Sequence, residues 1–396
     1  MSLRNSSTFS SEARLPELDE IRRPMRDVLT VSAWVLAFLV GFEVAVNSLF
    51  PHPTDPRQPP SGRLVVYFDY GRSIEGKIRR LVGPTDETSG PLASAGWIDG
   101  DDIAKQPDRA SRSDGMLISV YGMSFSSQVG TAMAELDPRI TPRLFGGPAA
   151  PPNHSYATYQ RDRGGNARVV ILGVLASSVV GLATNNGMTW RFEGPAPFTY
   201  PRFRSTPAGL EARWPSVRTL GQMREALGDP DSWHHLIAQI RADDDVYDPF
   251  LFTQNVLDRS ALVRLVRRAW GQRVLGQVRG RLRTSSGFVQ DSDEIKSLRA
   301  ILAAFSDEVR KDGKLPLVLL IHDPDYRDHL YQAVKSTLEE KQIPFVSTHT
   351  ICPTTNPRNF LPDSHFTPEA NRLIAWAVLE KLDRHVPRGK AESRMP

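Results

Sequence analysis

Apolar residues run almost unbroken from Val28 to Phe42, pause at Glu43, and resume from Val44 to Phe50. Counted through Glu43, the run approaches the ~20 residues that a bilayer-spanning helix needs. Arg22, Arg23 and Arg26 precede it, and Pro51-His52-Pro53-Thr54-Asp55 follows. A basic flank stays in the cytoplasm, which places the bulk of the chain across the membrane. The polar residues 1–27 then read as a disordered cytoplasmic tail. Residues 28–50 read as a transmembrane anchor, and the proline-rich 51–61 as a stiff linker lifting the domain off the bilayer. A long tail and the lack of an Ala-x-Ala site argue against a cleaved signal peptide. Glu43 and Asn47 fit the other reading of this stretch, a buried amphipathic helix.

Beyond the linker, short apolar runs alternate with helical periodicity. Arg63–Tyr70 predicts a strand, and Ile74–Leu81 a helix. Residues 84–115 are loop-rich. Met116–Val120 predicts a strand, followed by Gly122 and a helix over Gln128–Leu136. Pro142–Phe145 predicts a short strand running into Gly146-Gly147-Pro148, with a proline-rich loop carrying His154 and Tyr156 after it. Arg168–Gly173, Lys314–His322 and Ile343–Ser347 predict further strands, and Arg327–Lys341 a helix. Thr367 and Pro368 form a good N-cap and first helical residue for a last helix to about Leu382. Strands alternating with helices predict an α/β fold with a parallel sheet covered on both faces. Residues 188–310 break the rhythm and predict a helical insertion, with helices at Ser232–Arg241, Ala261–Arg283 and Ser292–Asp312, in a domain spanning 62–390. The second of these crowds Arg264, Arg267, Arg268, Arg273, Arg279, Arg281 and Arg283 around an apolar face. It reads as an amphipathic helix with a solvated basic face, or as a cap whose arginines meet an anionic polysaccharide or lipid headgroups.

Composition narrows the classes. The chain has 396 residues, with 49 basic against 45 acidic. So small an excess gives no nucleic-acid footprint. Cys352 is the only cysteine, which excludes an internal disulfide and a thiolate metal site. His234 and His235 lack a carboxylate at ligand spacing, and His154 and His322 read as loop and strand-end histidines. Neither a metal nor a cofactor is expected.

The chemistry concentrates in two stretches. Gly122-Met123-Ser124 puts a serine on the turn between a strand and a helix, where backbone N–H groups can hold a developing oxyanion. Asp363-Ser364-His365 supplies a base and a carboxylate on one loop just before the last helix. Gly71-Arg72-Ser73 is a second Gly-x-Ser turn and a rival for the nucleophile. Only from Ser124, however, do Gly147 and Gly173 each follow at one helix-and-strand step. Ser73 then reads as an N-cap, with Arg72 beside the cleft.

These blocks resemble those of the SGNH/GDSL hydrolase superfamily. Gly122-Met123-Ser124-Phe125-Ser126 is similar to its Gly-Asp-Ser-Phe-Ser block, Gly146-Gly147-Pro148 to its second, and Asp363-Ser364-His365-Phe366-Thr367-Pro368 to its last. Val169–Ser178 falls where the third block belongs. The resemblance covers roughly residues 62–385 and implies a flavodoxin-like three-layer α/β/α fold. It implies Ser124 as nucleophile, His365 as base, Asp363 as its orienter, and the Ser124 and Gly147 N–H groups, beside Gly146, as oxyanion donors. Met123 replaces the usual aspartate. The third block lacks its asparagine, so a serine hydroxyl such as that of Ser177 or the later Asn185 must stand in, or the donor is missing. The single residue between Asp363 and His365 is similar to the alginate-type O-acetyltransferase branch, which is extracytoplasmic and acts on exported polysaccharide. The resemblance thus implies an esterase or O-acyltransferase facing the periplasm or cell exterior from a single-pass inner-membrane anchor. Its substrate would be an acylated carbohydrate or other ester, with a membrane acyl-donor or export protein as a possible partner. Trp190, Phe198, Tyr200 and Phe203 are candidates either for stacking on sugar rings or for core. A non-enzymatic reading stands beside this one: a degenerate hydrolase domain that binds glycan or scaffolds an export complex.

Overall fold

The structure is a computed structural model that describes residues 18–51, 55, 57, 62–99 and 103–385, with side chains from Met25 onward. Five strands form one parallel sheet: β1 (Met116–Gly122), β2 (Ile140–Gly146), β3 (Val169–Leu175), β8 (Leu315–Ile321) and β9 (Phe345–Ser347). Their order is β2-β1-β3-β8-β9. Taken by appearance within this sheet that is 2-1-3-4-5, the flavodoxin-like order, whose switch point lies between β1 and β3. Every residue of β1 and β3 is buried, as expected for strands covered on both faces. The remaining strands, β4 (Arg202–Thr206) with β5 (Gly209–Arg213) and β6 (Arg283–Thr284) with β7 (Gly287–Phe288), form two small antiparallel ladders.

The helices in chain order are α1 (Leu18–Leu49), α2 (Arg63–Asp69), α3 (Ile74–Val82), α4 (Ser124–Leu136), α5 (Pro152–Asp162), α6 (Leu220–Gly228), α7 (Pro230–Asp243), α8 (Pro249–Phe252), α9 (Ala261–Leu282), α10 (Asp293–Lys311), α11 (His329–Glu340) and α12 (Pro368–Asp383). Helices α4 and α12 pack together against β1, β2 and β9, while α5, α10 and α11 pack against β1, β3 and β8. Thr367 caps α12 by accepting the Ala370 N–H at 3.3 Å, and Pro368 is its first residue, as the sequence predicts.

Several expectations need correction. Arg63–Tyr70 forms helix α2, not a strand. A short apolar run carries no decisive period, and here Phe68 is drawn onto Phe42 and Phe50 of α1 rather than into the sheet. The segment holding His154 and Tyr156 is helix α5, because Pro152 sits at its first position, where a missing N–H costs nothing. Helix α10, the last helix of the expected insertion, packs both on β4 and on β8, so it joins the insertion to the layer covering the sheet. Residues 18–27 are the first turns of α1 rather than tail. Residues 1–17, most of the expected linker and 386–396 lie outside the described residues.

The end of α1 does not stand clear of the domain. The Glu43 carboxylate accepts the Ala261 N–H at 2.7 Å, the Leu262 N–H at 3.2 Å and the Ser260 hydroxyl at 3.1 Å, capping α9 from a different helix. Arg264 donates to Asn47 Oδ1 at 2.8 Å. The basic face of α9 is correspondingly less solvated than its sequence suggests. Arg264 and Arg267 are buried, and Arg267 pairs with Asp258 at 2.5 Å.

Candidate active site

The turn after β1 is shaped by two glycines. A Cβ on Gly122 would lie 2.2 Å from Ser126 Oγ, and one on Gly173 only 1.9 Å from the same atom. Glycine at both positions lets the start of α4 descend onto the ends of β1 and β3. Met123 is the N-cap and Ser124 the first helical residue. The first N–H groups of a helix have no partner within it, and Ser124 contributes one of them here. Gly122 and Gly146 are register partners at the ends of β1 and β2, so Met123 and Gly147 are the first residues past two adjacent strand ends. Gly146 is also a close approach: a Cβ there would meet Ser127 Oγ at 2.5 Å.

His365 reaches the same place from the far end of the chain. Its Nε2 lies 2.7 Å from Ser124 Oγ. The imidazole stacks on Phe125, with ring centroids 4.5 Å apart and planes 16° from parallel. Its loop closes through Leu361 N–H to His365 carbonyl (2.7 Å) and Ser364 N–H to Leu361 carbonyl (2.9 Å), with Ser364 left-handed at φ 72°. Phe366 stacks on Phe360 beneath it. Side-chain donation from Asn371 to Gln128 ties the start of α12 to α4.

Asp363 joins them on weaker terms. Its Oδ1 accepts the His365 backbone N–H at 3.1 Å, and its Oδ2 lies 3.1 Å from His365 Nδ1 without the alignment of a hydrogen bond. The Asp363 side chain is 66% exposed, against 26% for His365. The His365 backbone N–H, helped by the nearby imidazole, holds the carboxyl below its usual range. Ser124, His365 and Asp363 are therefore together at the rim of the sheet, with the carboxylate open to water.

Ser177 borders a cavity of about 300 Å³ with Met123, between the loop Trp190–Gly194 and the α9 residues Gly271, Leu275 and Arg279. The cavity opens at the β1/β3 switch point, where open α/β sheets place ligands. Asn185 is elsewhere: its side chain accepts from Asn186 in a buried network that includes Thr189 and Asp244. Ser73 and Arg72 are also elsewhere. Ser73 caps α3 through the Gly76 N–H and donates to Asp258 at 2.5 Å, fully buried, while Arg72 pairs with Asp69 at 3.1 Å. Phe198, Tyr200 and Phe203 are core; of the four aromatic candidates only Trp190 borders the cavity. His154 is buried against Gly96 O at 2.6 Å, and burial pushes it down to about 4.

Asp323 is the residue that sequence reasoning missed. It follows the end of β8, is buried, accepts the Ser177 N–H at 3.2 Å, and is pushed up to about 6 by burial. Its one sequence signal was its place just past a strand end on the ligand rim. Among the described residues, no group of three or more His, Cys, Asp or Glu side chains is arranged to hold a metal ion.

An imidazole at 2.7 Å from a serine hydroxyl is placed to take its proton as the oxygen attacks a carbonyl. The chain matches no known protein family, and no curated protein matches it closely enough to count as a relative.

Proposed function

We propose that this chain is a serine-dependent acyl ester hydrolase or O-acyltransferase of the SGNH type, acting on an extracytoplasmic carbohydrate through an acyl-serine intermediate. The observation that carries the reading is the 2.7 Å contact between Ser124 Oγ and His365 Nε2 at the switch point of a parallel sheet. In this reading His365 takes the hydroxyl proton as Ser124 attacks the ester carbonyl. The proton then passes to the leaving alkoxide. Water or a sugar hydroxyl, deprotonated by the same imidazole, attacks the acyl carbon and displaces Ser124 Oγ, to which His365 returns the proton. The N–H groups of Ser124 and Gly147 hold the oxyanion. A carbohydrate substrate rests on the resemblance of the sequence blocks to the alginate-type branch.

The apolar helix is, on this proposal, a retained single-pass anchor. What supports retention over cleavage is that Glu43 and Asn47, within the 25-residue apolar stretch Met25–Leu49, are hydrogen-bonded into the globular domain. Removing the helix would leave the Ala261 and Leu262 N–H groups at the start of α9 without their Glu43 acceptor.

A fluorophosphonate probe on the full chain tests the chemistry. Labelling is expected in wild type and Ser73→Ala, and absent in Ser124→Ala. Labelling that survives Ser124→Ala refutes the assignment. A second reading, a degenerate domain that binds glycan without turnover, is favoured by the exposure of Asp363, and no labelling in a folded wild-type chain would select it.

A further inference from the structure

The docked end of α1 leaves too little helix to cross a bilayer, and the domain carries a surface fitted to make up the difference. Between Asp27 and Glu43 lie fifteen uncharged residues, Val28–Phe42. At ~1.5 Å per residue they span about 22 Å. The hydrocarbon core is about 30 Å thick. Glu43 cannot move deeper alone, because its carboxylate is bound to the start of α9. The shortfall of about 8 Å matches the ~5–10 Å to which an interfacial apolar face sinks into the headgroup boundary.

The elements that grip α1 expose large apolar side chains. Leu64 and Tyr67 on α2 are 55% and 42% exposed, and Val266 and Trp270 on α9 are 61% and 40% exposed. Val256 and Leu257, just before Ser260, the N-cap residue of α9, are 80% and 45% exposed. Arg63, Arg259 and Arg273 stand exposed among them with no carboxylate partner among the described residues; Arg273 lies over the Trp270 ring, whose indole N–H donates to Asp248 at 2.9 Å. Aromatic and aliphatic side chains interleaved with arginines that pair with no carboxylate are the composition of a surface seated at phosphate level.

We propose that this face, continuous with α1, is embedded in the membrane interface, so that the domain lies on the bilayer rather than above it. The inference rests on the anchor reading and goes beyond it. It also fixes where the candidate site works. Gly271, Leu275 and Arg279 line the cavity from the side of α9 opposite Val266 and Trp270. One helix diameter, about 10 Å, therefore separates the cavity beside Met123 and Ser177 from lipid. Esters presented at the membrane surface reach it, and those on polymer far from the membrane do not.

The test uses the full chain reconstituted in phosphatidylcholine–phosphatidylglycerol vesicles carrying brominated acyl chains. Trp34 on α1 is 73% exposed and reports the anchor, while Trp270 reports the face. Each contribution is read as the difference between wild type and Trp34→Phe or Trp270→Phe. Both are expected to be quenched, Trp34 by deep bromines and Trp270 at least two-fold by bromines near the headgroup. Quenched Trp34 with unquenched Trp270 overturns the proposal and leaves the anchor standing, whether water or a second copy covers that face. Unquenched Trp34 overturns the anchor itself. Val266→Cys carrying an environment-sensitive dye gives a second reading, since Cys352 is fully buried. A blue-shift on adding vesicles supports the embedded face, and an unshifted dye on a membrane-integrated chain contradicts it.

Discussion

Substituting Gly173 by alanine probes how the nucleophile turn is built. The new Cβ would sit 1.9 Å from Ser126 Oγ and 2.8 Å from Ser126 Cβ. That is about 1.5 Å inside an ordinary contact of 3.4 Å, and both residues are packed in the core, so no flexible side chain yields. The first turn of α4 must retreat from β3 and carry Ser124 with it. Overpacking of this kind costs about 1–3 kcal/mol. A ~1 Å misplacement of a reacting group costs on the order of 10²-fold in rate. The partner substitution is Ser126→Gly, which removes both clashing atoms; the next contact at position 173 is Tyr121 O at an ordinary 3.5 Å. Ser126→Gly alone should cost under ~1 kcal/mol of helix propensity. Its hydroxyl has no hydrogen-bond partner to lose. Urea unfolding and fluorophosphonate labelling rate are measured for wild type, both singles and the double. The double is expected to be more stable than Gly173→Ala by about 1 kcal/mol or more, with labelling recovered. Strictly additive free energies, or a Gly173→Ala chain as stable as wild type, would refute the packing argument.

Other expectations follow from named contacts. Asp363→Asn should lower labelling about 10- to 100-fold, well short of the ~10⁴-fold loss for a buried orienter. Added salt should shrink that difference, because the carboxylate is exposed; a salt-independent loss of 10⁴-fold would contradict the geometry. Ser73→Ala should destabilise by about 1–2 kcal/mol in a melt, through its bond to buried Asp258, while leaving labelling intact. Asp244 is lifted to about 6 by burial, against the pull of its bonds from Thr189, Val246 and Asn186. A folded value raised above 3.8 means that its stabilising contribution is full below about pH 4 and lost as pH rises through about 6. Stability should therefore fall by roughly 2–3 kcal/mol across that window from this group. Asp244→Asn should flatten the slope of denaturation midpoint against pH, and an unchanged slope would remove Asp244 as its source. Glu43→Ala should cost about 1 kcal/mol through the lost cap on α9, read as a melting shift of about 2 °C.

Much of this molecule is written locally. The parallel α/β class, the strands at β1, β2, β3, β8 and β9, the Thr367–Pro368 helix start and the apolar α1 follow from runs and caps that need only neighbours in the chain. The Ser124 turn and the Asp363–His365 loop were legible for the same reason, since each is a short motif with its own backbone logic. What tertiary structure decided are matters of long-range partnership. Arg63–Tyr70 became helix because Phe68 found Phe42 and Phe50 of α1, and no period in eight residues could announce that. Ser73 and Ser124 look alike in sequence, yet Asp258 captures one and His365 meets the other. Asp323 gained its place only when β8 was laid beside β3, and Glu43 its role only when α9 presented bare N–H groups to it. Local propensity fixes where a segment bends and what it can pair with. Which partner arrives depends on the packing of all the segments at once, and that is settled only in three dimensions.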